Sequence, residues 1–164
     1  MEAIYKSAFE KAIAIEIKSL SFYQTVSLIV RDNSTKRVFE VLAKEESSHL
    51  DLLCNLFPDN AEELVSILTK SYSSVFSDPY YMTLLNTVQF NTSEKDALQI
   101  ALKEEQSCIN CYTPFVEFFR ETRIHDVFSR ILNETHKHCE MISEEYMRLM
   151  HMVDQTDQLS FVRE

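Results

Sequence analysis

Glutamate and histidine occur in this 164-residue sequence at positions where a helix would hold them on one side. Glu46 and His49 are three residues apart, which puts both side chains on one helical face. Both interrupt an apolar line, where an unpaired buried charge would cost several kcal/mol. Carboxylate oxygens and imidazole nitrogens bind iron, zinc and manganese, and such cations would compensate the buried carboxylates. The pair therefore indicates a metal site inside a helical protein.

The same pattern occurs twice in the chain, with an offset of 89 residues. Glu16, with Tyr23 seven residues later, recurs as Glu105 with its own tyrosine, and His49 recurs as His138. A Val-Phe pair lies before the histidine in each half. Two helical hairpins that direct Glu and His side chains towards a shared centre are how a bundle builds a dinuclear carboxylate site. We therefore expect both halves to surround one centre.

Four long segments with the 3.6-residue apolar period of a helix carry these residues. They cover roughly residues 3–31 and 35–56, a third segment after residue 93 and a fourth from about residue 125. The short turn between the first two predicts antiparallel neighbours. Between the second and the third lies a long connection, which lets the chain cross the bundle so that these two helices run parallel.

The predicted fold is therefore all-α, a ferritin-like four-helix bundle of two hairpins. The long crossover between helices two and three should contain short helices near residues 61–71 and 80–86. The absence of glycine and the presence of only three prolines agree with an all-helical chain. We expect the bundle to span residues 1–153 and a polar C-terminal tail to span residues 154–164.

Composition and charge exclude several classes of function. A formal net charge of −10 argues against binding to nucleic acid or to anionic membranes. No apolar run approaches the roughly 20 residues that a membrane span needs, and we expect no secretory signal because the first residues lack a basic start and an apolar stretch. The four cysteines are interpreted as reduced, which favours a cytoplasmic protein.

The repeated residues resemble the half-motif of rubrerythrins, a branch of the ferritin-like superfamily. That motif is a Glu, a Tyr seven residues later, an apolar stretch and Glu-x-x-His. It reads EIKSLSFY and VFEVLAKEESSH in the first half, and EQSCINCY and VFSRILNETHKH in the second. The resemblance covers the four main helices. It implies a di-iron centre, with zinc or manganese as possible alternatives, whose ligands include Glu16, Glu46, Glu105, His49 and His138.

The second half departs from the motif, because Thr135 stands where the first half has Glu46. Glu134, one residue earlier, could turn inward after a small rotation or through a π-bulge, a feature that is frequent at functional sites. We therefore count Glu134 among the candidate ligands. The alternative is a site of three carboxylates and two imidazoles, which would be mononuclear, asymmetric or lost.

The resemblance implies an oxidoreductase that acts on peroxide or O₂. Its electrons would come from a separate, rubredoxin-like donor, because rubredoxin iron needs two Cys-x-x-Cys pairs and the chain has one, Cys108 and Cys111. Family members often pair, so a homodimer is expected. Two alternatives stay open: a protein that oxidises or handles iron, and a metal-free scaffold of the same fold that binds a partner protein.

Several other residues receive simpler interpretations. Tyr23 and Tyr112 are core aromatics whose hydroxyls could bond a carboxylate across the bundle. The remaining assignments concern residues interpreted as packed in the core or solvated. They are Cys108 in the core near the site, and Glu45, Glu104, Glu144, Glu145, His125, His136 and His151 on solvated faces.

Overall fold

The computed structural model describes residues 2–56 and 61–161, and the side chains of all of these except residues 2–3, 89–91, 123 and 152–161. This described part contains six helices and no strand, so the all-α class predicted from the sequence is confirmed. The helices are α1 (Glu2–Ile29), α2 (Asn33–Cys54), α3 (Ala61–Ser77), α4 (Pro79–Asn91), α5 (Glu94–Phe118) and α6 (Arg123–Phe161). None of the helices in these ranges is long and apolar enough to cross a membrane.

Short polar side chains define where three of the helices begin. The Asp32 side chain accepts a hydrogen bond from the backbone N–H of Thr35 at the start of α2. The Ser93 hydroxyl accepts one from the N–H of Asp96 at the start of α5, and Asp78 caps α4 in the same way. Each cap satisfies an N–H that has no partner within its own helix. The caps of α2 and α5 lie in the polar stretches at residues 32–35 and 91–93 of the sequence.

The direction of the helices follows from contacts between the two hairpins. The Tyr23 hydroxyl of α1 donates to Glu105 of α5, and the Tyr112 hydroxyl of α5 donates to Glu16 of α1. Later residues on one helix therefore face earlier residues on the other, so α1 and α5 are antiparallel. Only residues 30–32 separate α1 from α2, so these two are antiparallel as well. It follows that α2 and α5 run parallel, as the long crossover predicts.

The crossover is more helical than the sequence predicts. Helix α3 continues to Ser77 instead of residue 71, and α4 covers residues 79–91 instead of 80–86. Val75 and Val88, which lie beyond the predicted ends, are buried, so the apolar pattern that packs each helix on the bundle continues past those ends. The crossover packs on α1, where the Tyr81 hydroxyl donates to the Lys18 carbonyl at 2.7 Å. Similarly, α6 continues to Phe161, through most of the segment predicted as a tail.

Two apolar clusters lie on either side of a polar layer along the bundle. One cluster is centred on Phe9, Ile13, Phe119, Phe128 and Ile131. The other is centred on Phe22, Val26, Phe39, Leu42, Leu98 and Ile142. The residues between them on all four long helices include the repeated Glu and His, which are buried. The apolar clusters therefore exclude water from both sides of the polar layer, which strengthens electrostatic interactions within it.

Candidate metal centre

Five of the six predicted ligands meet between the helices in two groups that share one residue. The first group is Glu16, Glu46 and His49, and the second is Glu46, Glu105 and His138. Within each group the ligand atoms all lie within 4.8 Å of one another. All five residues are buried, and Glu46 is the most accessible of them with 4% of its surface exposed. The 89-residue repeat therefore places its Glu and His residues around one centre.

The carboxylate of Glu46 lies between the two imidazoles. Its Oε2 is 3.4 Å from Nδ1 of His49, and its Oε1 is 3.2 Å from Nδ1 of His138. The same Nδ1 atoms lie 3.1 Å from Glu16 and 3.3 Å from Glu105, respectively. The imidazole rings stack with their centroids 5.6 Å apart and an angle of 20° between their planes. These atoms define two adjacent positions, each with an imidazole nitrogen, a carboxylate of its own and one oxygen of Glu46.

The carboxylates of Glu16 and Glu105 each accept a hydrogen bond from a tyrosine of the opposite hairpin. Tyr112 donates to Glu16 and Tyr23 donates to Glu105, which confirms the contact expected across the bundle. Burial, reinforced by the neighbouring carboxylates, raises the pKa of both phenols well above the ordinary value. Both hydroxyls therefore keep their protons and act as fixed donors.

The outer nitrogen of each imidazole faces a carboxylate from the opposite hairpin. Nε2 of His49 lies 2.9 Å from Glu134, and Nε2 of His138 lies 2.7 Å from Glu45. The structure thus places Glu134 on the outer side of the His49 ring and outside both ligand groups. A carboxylate in this place accepts a hydrogen bond from Nε2–H, and so directs Nδ1 towards the centre.

The interpretation of Glu45 as a simple solvated residue missed its contact with His138. The sequence contained a signal for this contact, because Glu45 and Glu134 are also 89 residues apart. Two acidic residues at equivalent positions of a repeat indicate a shared role. Surface exposure hides that role: 44% of the Glu45 side chain and 28% of the Glu134 side chain are exposed.

Thr135 makes the centre asymmetric. It occupies the position equivalent to Glu46, is buried, and donates its hydroxyl to the Ile131 carbonyl of its own helix at 2.9 Å. Helix α6 is α-helical through this region, without the π-bulge that was one way for Glu134 to turn inward. The described centre therefore contains three inner carboxylates and two imidazoles.

The buried charges interact strongly in the arrangement without metal. Burial, together with the charge of Glu46, raises the pKa of Glu16 to about 8, and burial also raises the pKa of Glu105. Burial opposes ionisation of Glu46 too, but hydrogen bonds from His138 and His49 outweigh it and lower the pKa of this carboxyl. An anionic Glu46 at the middle of the site is the result.

Both imidazoles are held in the protonated form by the surrounding carboxylates. Burial alone would lower their pKa values, but hydrogen bonds to Glu16 and Glu46 raise the pKa of His49 to about 11. Hydrogen bonds to Glu105 and Glu46 likewise raise the pKa of His138 to about 10. Every buried side-chain nitrogen and oxygen in the described part of the chain has a hydrogen-bond partner. In this arrangement protonated imidazoles and phenol groups compensate the buried carboxylates, the role that the sequence assigns to metal cations.

Two other polar residues, Glu145 and Cys108, have different roles in the bundle. Glu145, interpreted as solvated, is buried, with 5% exposed, and accepts hydrogen bonds from Arg148 and from Thr35 at the start of α2. It ties the second hairpin to the first, and the sequence signal for this was Arg148 one helical turn later. Cys108 packs beside Ser19, its equivalent in the repeat, at 3.7 Å. Burial and the charge of Glu105 raise the pKa of the Cys108 thiol well above the ordinary value, so it stays uncharged.

A helical bundle with two buried Glu/Glu/His groups that share a carboxylate has the design of the ferritin-like carboxylate proteins. The Rubrerythrin family model matches residues 8–146, which include every residue of both groups. The chain belongs to the rubrerythrin family. No significant match was found among curated proteins or among solved structures.

Proposed function

We propose that this protein is a non-haem di-iron protein that reduces peroxide or O₂. Glu16 and His49 would hold one ion, Glu105 and His138 would hold the other, and Glu46 would bridge them. The observation that carries the proposal is the position of Glu46, whose two oxygens each face a different Nδ1 atom. Carboxylate oxygens together with imidazole nitrogens suit iron, and the same donor set also accepts manganese or zinc.

Glu134 and Glu45 would position the histidines instead of binding metal. In the metal-bound form each imidazole must give up its Nδ1 proton and keep its Nε2 proton. The outer carboxylates accept a hydrogen bond from that Nε2–H, at 2.9 Å and 2.7 Å. They thereby fix the tautomer and the ring direction that metal binding needs. This assignment moves Glu134 from the set of candidate ligands to a supporting role.

Two ferrous ions held at the centre would supply two electrons, which is the number needed to reduce one peroxide with two protons to two waters. The chain itself holds the reacting centre in a dry layer between two apolar clusters. Tyr23 and Tyr112 fix the directions of Glu105 and Glu16. Because their pKa values are raised, these phenols orient the carboxylates and do not supply the protons that the reaction consumes.

The electrons would come from a separate donor protein of the rubredoxin type. Cys108 and Cys111 lie within α5, and burial of Cys108 raises its thiol pKa, so this pair is a poor redox group. We further propose a cytoplasmic homodimer. The family membership supports these proposals in general terms.

The test compares His49→Ala with the matched control His136→Ala, whose ring is exposed and two residues from His138. After anaerobic loading with ferrous iron, wild type and control should hold about two ions per chain, and His49→Ala should hold fewer. Wild type and control should also consume peroxide when a chemical reductant is present. A wild-type chain that takes up no iron would contradict the proposal. Iron that accumulates with O₂ but without peroxide consumption would favour the iron-handling alternative.

The second candidate is a metal-free scaffold that binds a partner protein. The observation in its favour is that all buried side-chain nitrogens and oxygens in the described residues are already hydrogen-bonded. Thermal unfolding with and without ferrous iron separates the two candidates. Iron that binds only the folded state stabilises it by about 2.7 kcal/mol when the free iron concentration is 100 times the Kd. The melting temperature then rises. An unchanged melting temperature at millimolar iron would favour the scaffold.

A further inference from the structure

A pocket opens at the end of the bundle where α1 begins and the C-terminal turns of α5 pass beside it. Its volume is about 460 Å³, which falls within the range of small-molecule sites. None of its residues belongs to either Glu/Glu/His group. The lining residues are Ile4, Ser7, Ala8, Lys11, Pro114, Phe115, Phe118 and Phe119.

The pocket has a buried apolar floor and an exposed apolar rim. Ala8 and Phe119 at the floor are 7% and 2% exposed and belong to the hydrophobic core. Ile4 and Phe118 at the rim are 52% and 66% exposed. Phe118 stands edge-on to Phe119, with ring centroids 4.9 Å apart. A ligand with an apolar body would remove the rim residues from water while resting on a floor that is already packed.

Lys11 is the one charged residue among the described residues of the lining, and its ammonium has no carboxylate partner in the described part of the chain. Its Nζ lies 5.8 Å from the centroid of the Phe115 ring, which forms a wall of the pocket. The acid next to it in the chain, Glu10, is already paired with Lys70 at 2.6 Å. In a chain with a net charge of −10, a cation that is available beside an apolar pocket selects an anionic group.

We propose that this pocket binds a small amphipathic monocarboxylate. Its apolar body would lie against Phe115 and Phe118, and its carboxylate would pair with the Lys11 ammonium. Ser7 lines the same pocket and offers a hydroxyl donor beside the lysine. A second carboxylate on the ligand would find no further cation among the described lining residues, so the pocket prefers one negative charge. This binding site is independent of the metal centre, and a failure of either proposal leaves the other intact.

Calorimetric titration of the full-length chain with decanoate tests the proposal, with decylamine as the probe of opposite charge. Decanoate should bind more tightly than decylamine. Lys11→Gln should weaken decanoate binding about threefold, as expected for a solvent-exposed ion pair. Phe118→Ala should weaken it about tenfold through lost apolar contact. The matched controls Lys44→Gln and Leu28→Ala, at exposed positions away from the pocket, should leave the affinity unchanged.

Amide chemical shifts in the same titration locate the ligand. We expect the changes to concentrate on residues 4–11 and 114–119. Equal binding of decanoate and decylamine, absence of decanoate binding, or shift changes elsewhere in the chain would overturn the proposal. The same holds if Phe118→Ala converts a dimer to a monomer and decanoate does not bind, because the pocket would then be an interface between two copies of this chain.

Discussion

The first hairpin, α1 and α2, and the second, α5 and α6, supply equivalent side chains to the centre with one exception. Each gives a buried Glu, a Tyr that crosses to the other hairpin, a buried His and an outer Glu. The first hairpin adds Glu46 between the imidazoles, whereas the second has Thr135, which bonds only its own helix. One carboxylate with two oxygens reaches both imidazoles. The second half therefore needs no bridging residue of its own.

The outer carboxylates show a second difference between the halves. Glu134, which holds His49, is itself paired with Arg130 at 3.1 Å. Its partial burial would raise its pKa, but the hydrogen bonds from Arg130 and His49 outweigh burial and lower the pKa of this carboxyl. Glu45, which holds His138, is more exposed and bonds no Arg or Lys among the described residues. The His49 ring thus faces a carboxylate that is itself paired with an arginine, whereas the carboxylate that faces His138 has no such partner among the described residues.

The largest effect is expected from Glu46→Gln, which removes the charge shared by both positions. We expect iron content after anaerobic loading to fall from about two ions per chain to fewer than one. Thr135→Ala at the equivalent position is the matched control and should retain full iron content, since its hydroxyl bonds only Ile131. Equal loss in both variants would show that the two halves do not differ in the way described.

Metal affinity should rise steeply with pH. In the metal-free protein the pKa values of about 11 for His49 and about 10 for His138 keep both imidazoles protonated at neutral pH. Binding of two ions must displace both Nδ1 protons and, below about pH 8, the proton of Glu16 as well, so the product of the two affinities should increase by at least about 100-fold per pH unit. The increase should continue until the pH approaches 10. Proton release, measured by calorimetry in buffers of different ionisation enthalpy, should be at least two per chain, and pH-independent binding from pH 6 to 8 would contradict this.

Removal of the outer carboxylates should have an intermediate effect. Glu134→Ala and Glu45→Ala should each lower metal affinity about 10- to 100-fold, because the imidazole loses the acceptor that fixes its direction. The effect should be larger for Glu134, whose position Arg130 stabilises. Arg130→Ala should itself change affinity only about twofold, since exposed ion pairs contribute little. Competition with a metal-sensitive chelator measures all three variants. Wild-type metal affinity in both Glu variants would contradict the proposal that Glu134 and Glu45 position the histidines.

A gain in metal affinity is expected from Thr135→Glu, which makes the second half equivalent to the first. The added carboxylate should tighten metal binding on the order of tenfold through its charge. It should also destabilise the metal-free chain by about 2 kcal/mol, because it buries another polar group without a partner. Unfolding by denaturant with and without metal tests both the tighter metal binding and the lower stability of the metal-free chain. A variant that is destabilised in both forms would show that a carboxylate at this position cannot reach the metals.

The sequence predicted the fold and the meeting of five residues because both follow from repeated local patterns. The 3.6-residue apolar period and the 89-residue offset are enough to place five residues on the inward faces of the helices. These residues are Glu16, Glu46, His49, Glu105 and His138. The predicted tyrosine contacts are confirmed for the same reason. Local patterns carry this information because the spacing of two residues in a helix determines whether their side chains lie on the same face.

The remaining features depend on contacts between helices, which spacing does not reveal. Glu45 and Glu145 look like solvated acids in their own helices. Glu45, however, contacts His138, and Glu145 accepts a hydrogen bond from Arg148. Compensation of the buried carboxylates by protonated imidazoles also depends on the packed geometry, because each pKa is set by groups from several helices. Glu134 could be assigned to an inward or an outward direction from the sequence, and only the packed bundle places it beside Nε2 of His49.

The most direct test of the central claim is anomalous diffraction from crystals loaded anaerobically with ferrous iron. The account predicts two iron peaks on either side of the Glu46 carboxylate, one near Nδ1 of His49 and the other near Nδ1 of His138. A single peak, or none, with both imidazoles still bonded to Glu46, would contradict it.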